Sequence, residues 1–511
     1  MNLISIMQEN AGLFSDSVAV IDGATEKFIT YKELWRQVNA VASGLKSIGI
    51  AAGDRIGLYL PNGAEFIISY FAILMIGAIA VPFDILFRNF EIKYILENSS
   101  AKAVIGLERE LSRLLSMRNE LPNLLSVVGA GDQMNIQVDR RLSDWIQAEC
   151  LNYTEPVQIL DSQPAAIHYT SGTTGRMKGV VLSHYNIAVN TKINGHYLLG
   201  LNDQDRVLGL SPFNHVYYFQ VVLGPLSVGA AAVTLPRSSP RLALEAIEKY
   251  RITHLSTVPT MFRYLLQQFK EKKYDLSSWR VAGSAAANIN PDLVMQIRNT
   301  FGVDFFDTYG STEASSTITY TRLRHYKSGS VGMPAHGYMV KVVDDQELEV
   351  PVGEVGELVV RGPGIFRNYW ELPEKTEIAF TVGGWYKSGD IARLDHEGYV
   401  YIIGRKNDMI ISGGYKIYPL EIEEMLLSHP EIADAIVVKR KDPNLGEVPV
   451  GYVILKSGAE LTPDQIITFC QERLAKYKCP RIIEIRSDFP RSPSGKTLRR
   501  CLESENNKTQ E

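Results

Sequence analysis

The run from Tyr169 to Lys178, YTSGTTGRMK, decides how the rest of the chain is interpreted. It carries four aliphatic hydroxyl groups and two glycines, and a lysine closes it. Apolar segments that predict strands lie on either side, at 164–167 and 179–182. Glycines let backbone N–H groups turn toward a ligand, and hydroxyl and ammonium groups are donors suited to phosphate oxygens. The run therefore predicts a triphosphate-binding loop whose contacts are Thr170, Ser171, Gly172, Thr173, Thr174 and Lys178.

Two other interpretations of this composition are weaker. A surface turn is the ordinary meaning of a Gly/Ser/Thr-rich stretch, but a plain turn does not require four hydroxyl groups and a lysine. A Walker A loop needs a glycine, four intervening residues and then Gly-Lys-Ser/Thr. Only Gly495-Lys496-Thr497 offers that ending, and Pro490 stands where its opening glycine should be. The sequence therefore disfavours a P-loop NTPase or kinase.

The run resembles the phosphate loop of the adenylate-forming (AMP-binding) superfamily, which includes acyl-CoA synthetases, peptide-synthetase adenylation domains and beetle luciferases. The resemblance implies an enzyme that activates a carboxylic acid as acyl-AMP, with release of pyrophosphate, and then passes the acyl group to a thiol. It also implies ATP and Mg²⁺, with coenzyme A as the co-substrate.

Composition and charge are those of a soluble enzyme. A chain of 511 residues is expected to form two or more domains. A net charge of −4 gives no electrostatic case for binding nucleic acid or an anionic membrane. The N-terminus lacks a basic segment typical of a secretory signal, and the most apolar window, 66–83, is too short for a convincing membrane span. Scattered cysteines favour reduced thiols in a cytoplasmic protein.

Strand and helix patterns alternate from Val18 to Val128, which is the signature of an open α/β sheet. We expect a large N-terminal domain, 1–404, of open α/β sheets flanked by helices, with a β-rich subdomain. A small, mobile α+β C-terminal domain should occupy 405–511. The resemblance places the hinge at Asn407, where relatives usually carry Asp or Lys.

The acid is expected to bind beside a polar-aromatic cluster, 211–219, that follows a predicted strand. His215 resembles the family histidine that positions and gates the acid rather than serving as an essential base. Adenylation domains that select amino acids usually offer an aspartate in this segment, and none is present here, so a fatty or aryl acid is favoured. The predicted acyl pocket comprises Phe213, His215, Tyr217, Tyr218, Ser284, Gly310, Ser311 and Ser316.

The nucleotide site should follow two further strands. Small residues at 284–287 allow a flat ring to lie against the backbone, although the proline common in the family is missing. In the segment DTYGSTE at 307–313, the resemblance assigns adenine stacking to Tyr309, the α-phosphate to Thr312 and Mg²⁺ to Glu313. One carboxylate with substrate phosphates is enough for Mg²⁺. The predicted nucleotide contacts outside the loop are Ser284, Ala285, Ala286, Asp307, Thr308, Tyr309, Thr312, Asp390 and Arg405.

The C-terminal part supplies the remaining implied roles. Asp390 should accept hydrogen bonds from the ribose hydroxyls, and Arg405 should hold the ribose or α-phosphate. Lys496, in PRSPSGKTLRR, matches the catalytic lysine of adenylation, so the expected catalytic groups are Lys496, Thr312 and His215. The segment Ser412, Gly413 and Gly414 should line the thiol channel. Luciferases carry a lysine at the position of Gly413, so the light-emitting branch is disfavoured.

The thiol acceptor stays open at this point. Coenzyme A is the first choice, and Tyr477 and Lys478 could border its nucleotide. A phosphopantetheinyl carrier protein acting in trans is the alternative, since no carrier domain is fused to the chain. A non-catalytic nucleotide-binding relative is disfavoured by the intact Lys496, Glu313 and Asp390. Oligomeric state stays open.

Overall fold

The computed structural model describes residues 2–131, 135–148, 156–170, 177–323, 325–491 and 497–508. By its internal contacts the chain divides into two units. The larger unit comprises Met1–Ser328, Gly332–Met339 and Arg361–Phe380. The smaller unit comprises Gly329–Val331, Val340–Val360 and Thr381–Glu511.

A nine-stranded sheet forms one half of the larger unit. Its inner strands are parallel, and its outer strands pair antiparallel. The order across the sheet is Met333–Pro334, Ser316–Tyr320, Asp304–Ser311, Val281–Ser284, His254–Thr257, Arg206–Gly209, Ala231–Thr234, Val18–Asp22 and Lys27–Thr30. The helices Pro240–Tyr250, Pro259–Glu271 and Pro291–Phe301 bury their apolar faces in one core with these strands.

An eight-stranded sheet forms the other half. Its order is Asn368–Tyr369, Lys178–Ser183, Pro164–Thr170, Ile79–Pro82, Arg55–Tyr59, Ala103–Gly106, Ser126–Gly129 and Arg140–Arg141. The strands on either side of the predicted phosphate loop pair antiparallel, with Thr170 opposite Lys178. The loop therefore joins two neighbouring strands, as expected.

Two of the remaining helices of the larger unit begin at capping-box or N-cap residues. The side chains of Thr30 and Ser183 accept the backbone N–H groups of Glu33 and Asn186 at these helix starts. The helix Pro259–Glu271 begins at a proline, which suits the first helical position. The remaining helices are Leu3–Leu13, Tyr31–Ser47, Ala64–Met75, Asn89–Ser99, Glu108–Ser116, Leu142–Gln147, His184–Lys192, Gly224–Leu226 and Pro373–Ile378. Shorter helical turns are Arg118–Glu120, Ile193–Leu198, Phe219–Leu223 and Thr312–Ala314.

The apolar window at 66–83 is divided between the helix Ala64–Met75 and the strand Ile79–Pro82. Both are buried in the larger unit. Among the residues that the structure describes, no helix combines the length and apolarity needed to cross a membrane.

The smaller unit contains two sheets. A four-stranded sheet has the order Met339–Val343, Gly356–Arg361, Tyr386–Leu394 and Val400–Arg405. A five-stranded sheet has the order Tyr415–Ile417, Ile410–Ser412, Gly446–Leu455 and Ile432–Asp442, with Ile482–Ile485 also paired to Gly446–Leu455. Its helices are Lys406–Asp408, Pro419–Leu427, Pro463–Gln471 and Arg499–Lys508. The α/β class, with a large N-terminal part and a smaller α+β C-terminal part, is confirmed, while the boundary at 404/405 and the hinge stay predictions.

A buried ion pair fixes the last helix to the rest of the smaller unit. Arg499 donates from Nη1 and Nη2 to the two carboxylate oxygens of Glu423, at 2.5 and 2.6 Å. The Glu423 side chain is only 5% exposed, and it also accepts the N–H of Val437 at 2.7 Å. The helix that follows the predicted catalytic-lysine segment is therefore held by a bidentate contact.

Replacing Glu423 with Gln should lower the free energy of unfolding by about 3 kcal/mol, since it removes the bidentate carboxylate partner of a partly buried guanidinium and leaves the carboxylate of Asp408, at 3.7 Å. Urea denaturation measures the change. Glu421→Gln is the matched control on the same helix, because the Glu421–Lys478 pair leaves the carboxylate side chain 40% exposed. The control should cost less than about 1 kcal/mol. Equal losses in both variants would contradict a stabilising role for the buried pair.

Candidate active site

Three of the predicted segments begin at one edge of the nine-stranded sheet. Its parallel strands place Gly209, Ser256, Gly283 and Phe306 side by side. The segments 211–219, 284–287 and 307–313 follow these strands or continue them. Because carboxyl ends of parallel strands meet at the same edge, ligands of α/β sheets bind there. The structure thus brings together the predicted acid and adenine segments.

The loop that carries His215 is held by side chains distant in the sequence. Asn62 donates to the carbonyl oxygen of Ser211 at 2.9 Å and accepts the N–H of Phe213 at 2.9 Å. His168 contacts the carbonyl oxygen of Asn214 through Nδ1 at 3.1 Å. Burial lowers the pKa of His168 to about 4, so its ring is neutral and Nδ1–H donates. The loop backbone is therefore fixed on the N-terminal side of His215.

His215 itself is exposed. Its Nδ1 accepts the backbone N–H of Tyr217 at 3.3 Å. This bond assigns the proton of the neutral ring to Nε2, which makes Nε2 the donor that could face a ligand. That arrangement suits a positioning group.

The predicted pocket aromatics are not equivalent. The rings of Phe213 and Tyr218 are buried and pack with Phe66, at centroid distances of 5.7 and 5.2 Å. Tyr217 is also buried, and its hydroxyl is hydrogen-bonded to Ser256 on the adjacent strand end. Tyr217 therefore joins the loop to the edge of the sheet. The acid-binding roles of all three stay predictions.

The small residues predicted to face adenine end the strand Val281–Ser284. Ser284 is fully buried, and its Oγ has no hydrogen-bond partner among the residues that the structure describes. Ala286 is exposed and adopts φ +68°, a left-handed conformation uncommon outside glycine. Such backbone conformations are concentrated at ligand sites.

Gly310 permits the turn that presents Thr312 and Glu313. Strand Ser316–Tyr320 folds back onto Asp304–Ser311, and a Cβ on Gly310 would lie 1.4 Å from the carbonyl oxygen of Ser316. Only glycine fits this approach. Between the strands, Thr312–Ala314 forms one helical turn, followed by Ser315 and Ser316 at φ +56° and +99°.

Glu313 is held by the segment that follows residue 365. Its carbonyl oxygen accepts the N–H of Phe366 at 2.7 Å, and its Oε1 accepts the hydroxyl of Tyr369 at 3.0 Å. Lys178, the last residue of the predicted phosphate loop, places Nζ 4.8 Å from the centroid of the same tyrosine ring. The predicted metal ligand and the loop lysine are therefore neighbours of one side chain.

No group of three or more His, Cys, Asp or Glu residues that could hold a metal occurs in the described part of the chain. A single carboxylate does fit Mg²⁺, which prefers few protein oxygens and takes the rest from phosphates and water. Glu313 would hold the ion through the oxygen that Tyr369 does not bond.

The other predicted contacts belong to the smaller unit. Arg405 Nε lies 2.8 Å from Asp390 Oδ1 on the paired strand, so the two predicted ribose contacts are adjacent. Gly413 and Gly414, at φ +55° and +86°, form the turn of a tight hairpin in which Ser412 pairs with Tyr415. The predicted contacts Ser171, Gly172, Thr173, Thr174 and Lys496 lie outside the described residues.

Sequence reasoning missed Asn62, His168 and Tyr369. Asn62 lies 151 residues from Phe213, and Tyr369 lies 56 residues from Glu313, so no local pattern pairs them. Only the pairing of Asn368–Tyr369 with the strand after the phosphate loop brings Tyr369 to the site.

Comparison with known proteins agrees with this arrangement. Residues 7–370 match the AMP-binding enzyme family, and residues 421–496 match the AMP-binding enzyme C-terminal domain. The chain is 32% identical to a long-chain-fatty-acid–CoA ligase of Bacillus subtilis (strain 168), over 98% of this chain and 94% of the relative. It is 33% identical to a medium-chain fatty-acid–CoA ligase of Escherichia coli (strain K12), over 97% and 88%.

Solved structures show the same fold over the full length. The structure of an anthranilate CoA ligase in complex with anthranoyl-AMP has a TM-score of 0.92 at 28% identity, covering 100% of this chain and 98% of the other. That of ATP-bound MatB from Rhodopseudomonas palustris has a TM-score of 0.91 at 26% identity, covering 100% of each. The chain therefore belongs to the AMP-binding enzyme family. Within it, the chain is an acid–thiol ligase, an enzyme that forms a carbon–sulfur bond.

Asp307 is a buried carboxyl group beside this site. It is 4% exposed, and its Oδ1 accepts the N–H of Thr308 at 3.0 Å. Burial raises its pKa from 3.8 to about 8, although the Thr308 hydrogen bond opposes the shift. At neutral pH the group is therefore mostly protonated, and it can donate a hydrogen bond as well as accept one.

Replacing Asp307 with Asn tests this protonation through stability. Between pH 3.8 and about 8 the folded chain holds a proton that the unfolded chain has lost. The contribution of Asp307 is fully present below this range and falls as pH rises through it. The unfolding free energy of wild type, relative to Asp307→Asn, should therefore decrease from pH 4 to 8 in urea denaturation at several pH values. A difference that does not change with pH would show that Asp307 is ionised in the folded chain.

Proposed function

We propose that the chain activates a fatty or aryl acid with ATP and Mg²⁺ and transfers the acyl group to coenzyme A. The observation that carries this proposal is the sheet edge at which the His215 loop, the small residues 284–287 and the Thr312–Glu313 turn meet. No acidic residue lies in 211–219 to pair with an amino group. Relatives are named as long-chain-fatty-acid, 4-coumarate and crotonobetaine/carnitine CoA ligases, and these names support a carboxylic acid as the substrate.

The first step requires charge neutralisation more than a general base. A carboxylate is already ionised at neutral pH, and it must approach the α-phosphorus of ATP, which is surrounded by negative oxygens. Its oxygen forms a bond to that phosphorus as the bond to the β-phosphate oxygen breaks, and pyrophosphate leaves. Cations placed in advance stabilise this step. Lys178, Lys496 and a Mg²⁺ ion held by Glu313 would supply them.

The second step uses the thiol. Its sulfur attacks the acyl carbonyl carbon, the carbon–oxygen bond to AMP breaks, and the thiol proton passes to solvent. His215 is suited to separate the acid from the incoming thiol, because its loop is held by Asn62 and His168 while the ring stays exposed. The hairpin at Ser412–Gly414 is the proposed wall of the thiol channel. Rotation of the C-terminal domain about Asn407 would present Lys496 for the first step and this hairpin for the second.

Coenzyme A is favoured as acceptor over a carrier protein in trans. The relatives are CoA ligases, and an exposed aromatic pair on the smaller unit suits an adenine ring. Tyr415 and Tyr477 stack with centroids 4.5 Å apart, and Tyr477 is 39% exposed. Aromatic faces of this kind bind bases by stacking.

We also propose that the protein acts in the cytoplasm. The three cysteines that the structure describes, Cys470, Cys479 and Cys501, are free thiols. Free thiols suit a reducing compartment.

A pyrophosphate-release screen tests the proposed function directly. Fatty, aryl and amino acids are supplied with ATP and Mg²⁺, with and without coenzyme A. We expect release that depends on a fatty or aryl acid, with AMP as the nucleotide product and a thioester only when coenzyme A is present. Adenylate formation without transfer to coenzyme A would favour the carrier-protein alternative. ATP binding without acid-dependent pyrophosphate release would contradict catalysis.

Lys496→Ala should lose adenylate formation by at least about a hundredfold, because a preplaced cation opposite the developing charge is removed. The variant should still convert a supplied acyl-adenylate and coenzyme A into the thioester. Single-turnover assays of each step make the comparison. Adenylate formed at the wild-type rate would exclude the role assigned to Lys496.

A further inference from the structure

Tyr369 is held at the active site by its backbone. The strand Asn368–Tyr369 pairs antiparallel with Lys178–Ser183, which places Tyr369 opposite Val180. The next residue, Trp370, donates its N–H to the carbonyl oxygen of Gly179 at 2.7 Å. Tyr369 is therefore fixed beside the strand that leaves the predicted phosphate loop, with 5% of its surface exposed.

The hydroxyl of Tyr369 donates to Glu313 Oε1 at 3.0 Å. An ionised carboxylate oxygen can only accept, so the phenol hydroxyl is the donor in this hydrogen bond. The other oxygen of Glu313 has no hydrogen-bond partner in the described ranges of the chain. A donor fixed on one oxygen leaves the second oxygen turned to a separate ligand.

The ring of Tyr369 has a different contact. The ammonium of Lys178 lies 4.8 Å from the ring centroid, a distance at which a cation is attracted to the face of an aromatic ring. The Tyr369 hydroxyl thus contacts Glu313, the predicted metal ligand, and the Tyr369 ring contacts Lys178, the predicted phosphate contact. A residue with only a packing role requires neither contact.

We propose that Tyr369 is a positioning residue for the Mg²⁺–triphosphate group: its hydroxyl orients the Glu313 carboxylate for the ion, and its ring orients the Lys178 ammonium for the phosphates. The inference rests on the proposed function, since it assumes that ATP binds with Mg²⁺ at this site. It assigns one role to the hydroxyl of Tyr369 and another to its ring, and two substitutions can separate these roles.

Calorimetric titration of ATP, without the acid, measures both effects. Each chain is titrated once with EDTA and once with Mg²⁺, and the ratio of the two affinities is the Mg²⁺ enhancement. Tyr369→Phe removes only the hydroxyl, so the enhancement should fall roughly tenfold while metal-free affinity is unchanged. Tyr369→Leu also removes the aromatic face, so metal-free affinity should fall as well.

Tyr338→Phe is the matched control. The Tyr338 hydroxyl is also buried, and it donates to the carbonyl oxygen of Ala314, the residue after Glu313, at 2.9 Å. It contacts neither the Glu313 carboxylate nor Lys178 in the described structure. This variant should lose stability in thermal unfolding and retain the wild-type Mg²⁺ enhancement.

Each of the following results would overturn one specific part of the proposal. A wild-type enhancement in Tyr369→Phe would overturn the orienting role of the hydroxyl. An equal loss of Mg²⁺ enhancement in Tyr338→Phe would show that the effect comes from general damage to the turn. Unchanged metal-free ATP affinity in Tyr369→Leu would overturn the role of the ring. Wild-type protein that binds ATP equally with and without Mg²⁺ would instead overturn the Mg²⁺ part of the proposed function, and this inference with it.

Discussion

The close approach of two chain segments at Gly310 is the constraint on which the site depends. The strand Asp304–Ser311 passes the end of the parallel sheet and is then paired with the strand that returns from it. A side chain at Gly310 would overlap the carbonyl oxygen of Ser316, so the pairing exists only because glycine has no Cβ. The turn between these strands therefore lies at the sheet edge, and it carries Thr312 and Glu313.

The contacts around that turn hold in place the side chains that are proposed to bind the highly charged Mg²⁺–triphosphate group. Glu313 is bonded through its backbone to Phe366 and through its side chain to Tyr369, while Lys178 lies over the tyrosine ring. One tyrosine side chain therefore contacts both the Glu313 carboxylate and the Lys178 ammonium. The site is thus organised before a ligand arrives, which lowers the reorganisation needed at the moment of reaction.

The sequence predicted the helices and strands better than it predicted contacts between residues that are distant in the chain. Thr30, Ser183 and Thr462 each cap the helix that follows, and such caps depend on residues three positions apart, which is a local feature of the sequence. The strands around the phosphate loop were also predicted, because apolar runs bounded by glycines are a local signal. In contrast, the bonds from Asn62 to the His215 loop and from Tyr369 to Glu313 join segments whose spacing carries no pattern. Such contacts follow from strand order and register, which single-sequence patterns do not specify.

In the proposed reaction an oxygen of the acid itself attacks the α-phosphorus of ATP. Turnover of an acid labelled with ¹⁸O in both carboxylate oxygens, followed by mass spectrometry of the nucleotide and the thioester, tests it most directly. We expect AMP to gain one labelled oxygen and the thioester to keep the other, because the bond between the acyl carbon and the phosphate oxygen breaks when sulfur attacks. Unlabelled AMP, or label transferred to inorganic phosphate with ADP as the nucleotide product, would contradict it.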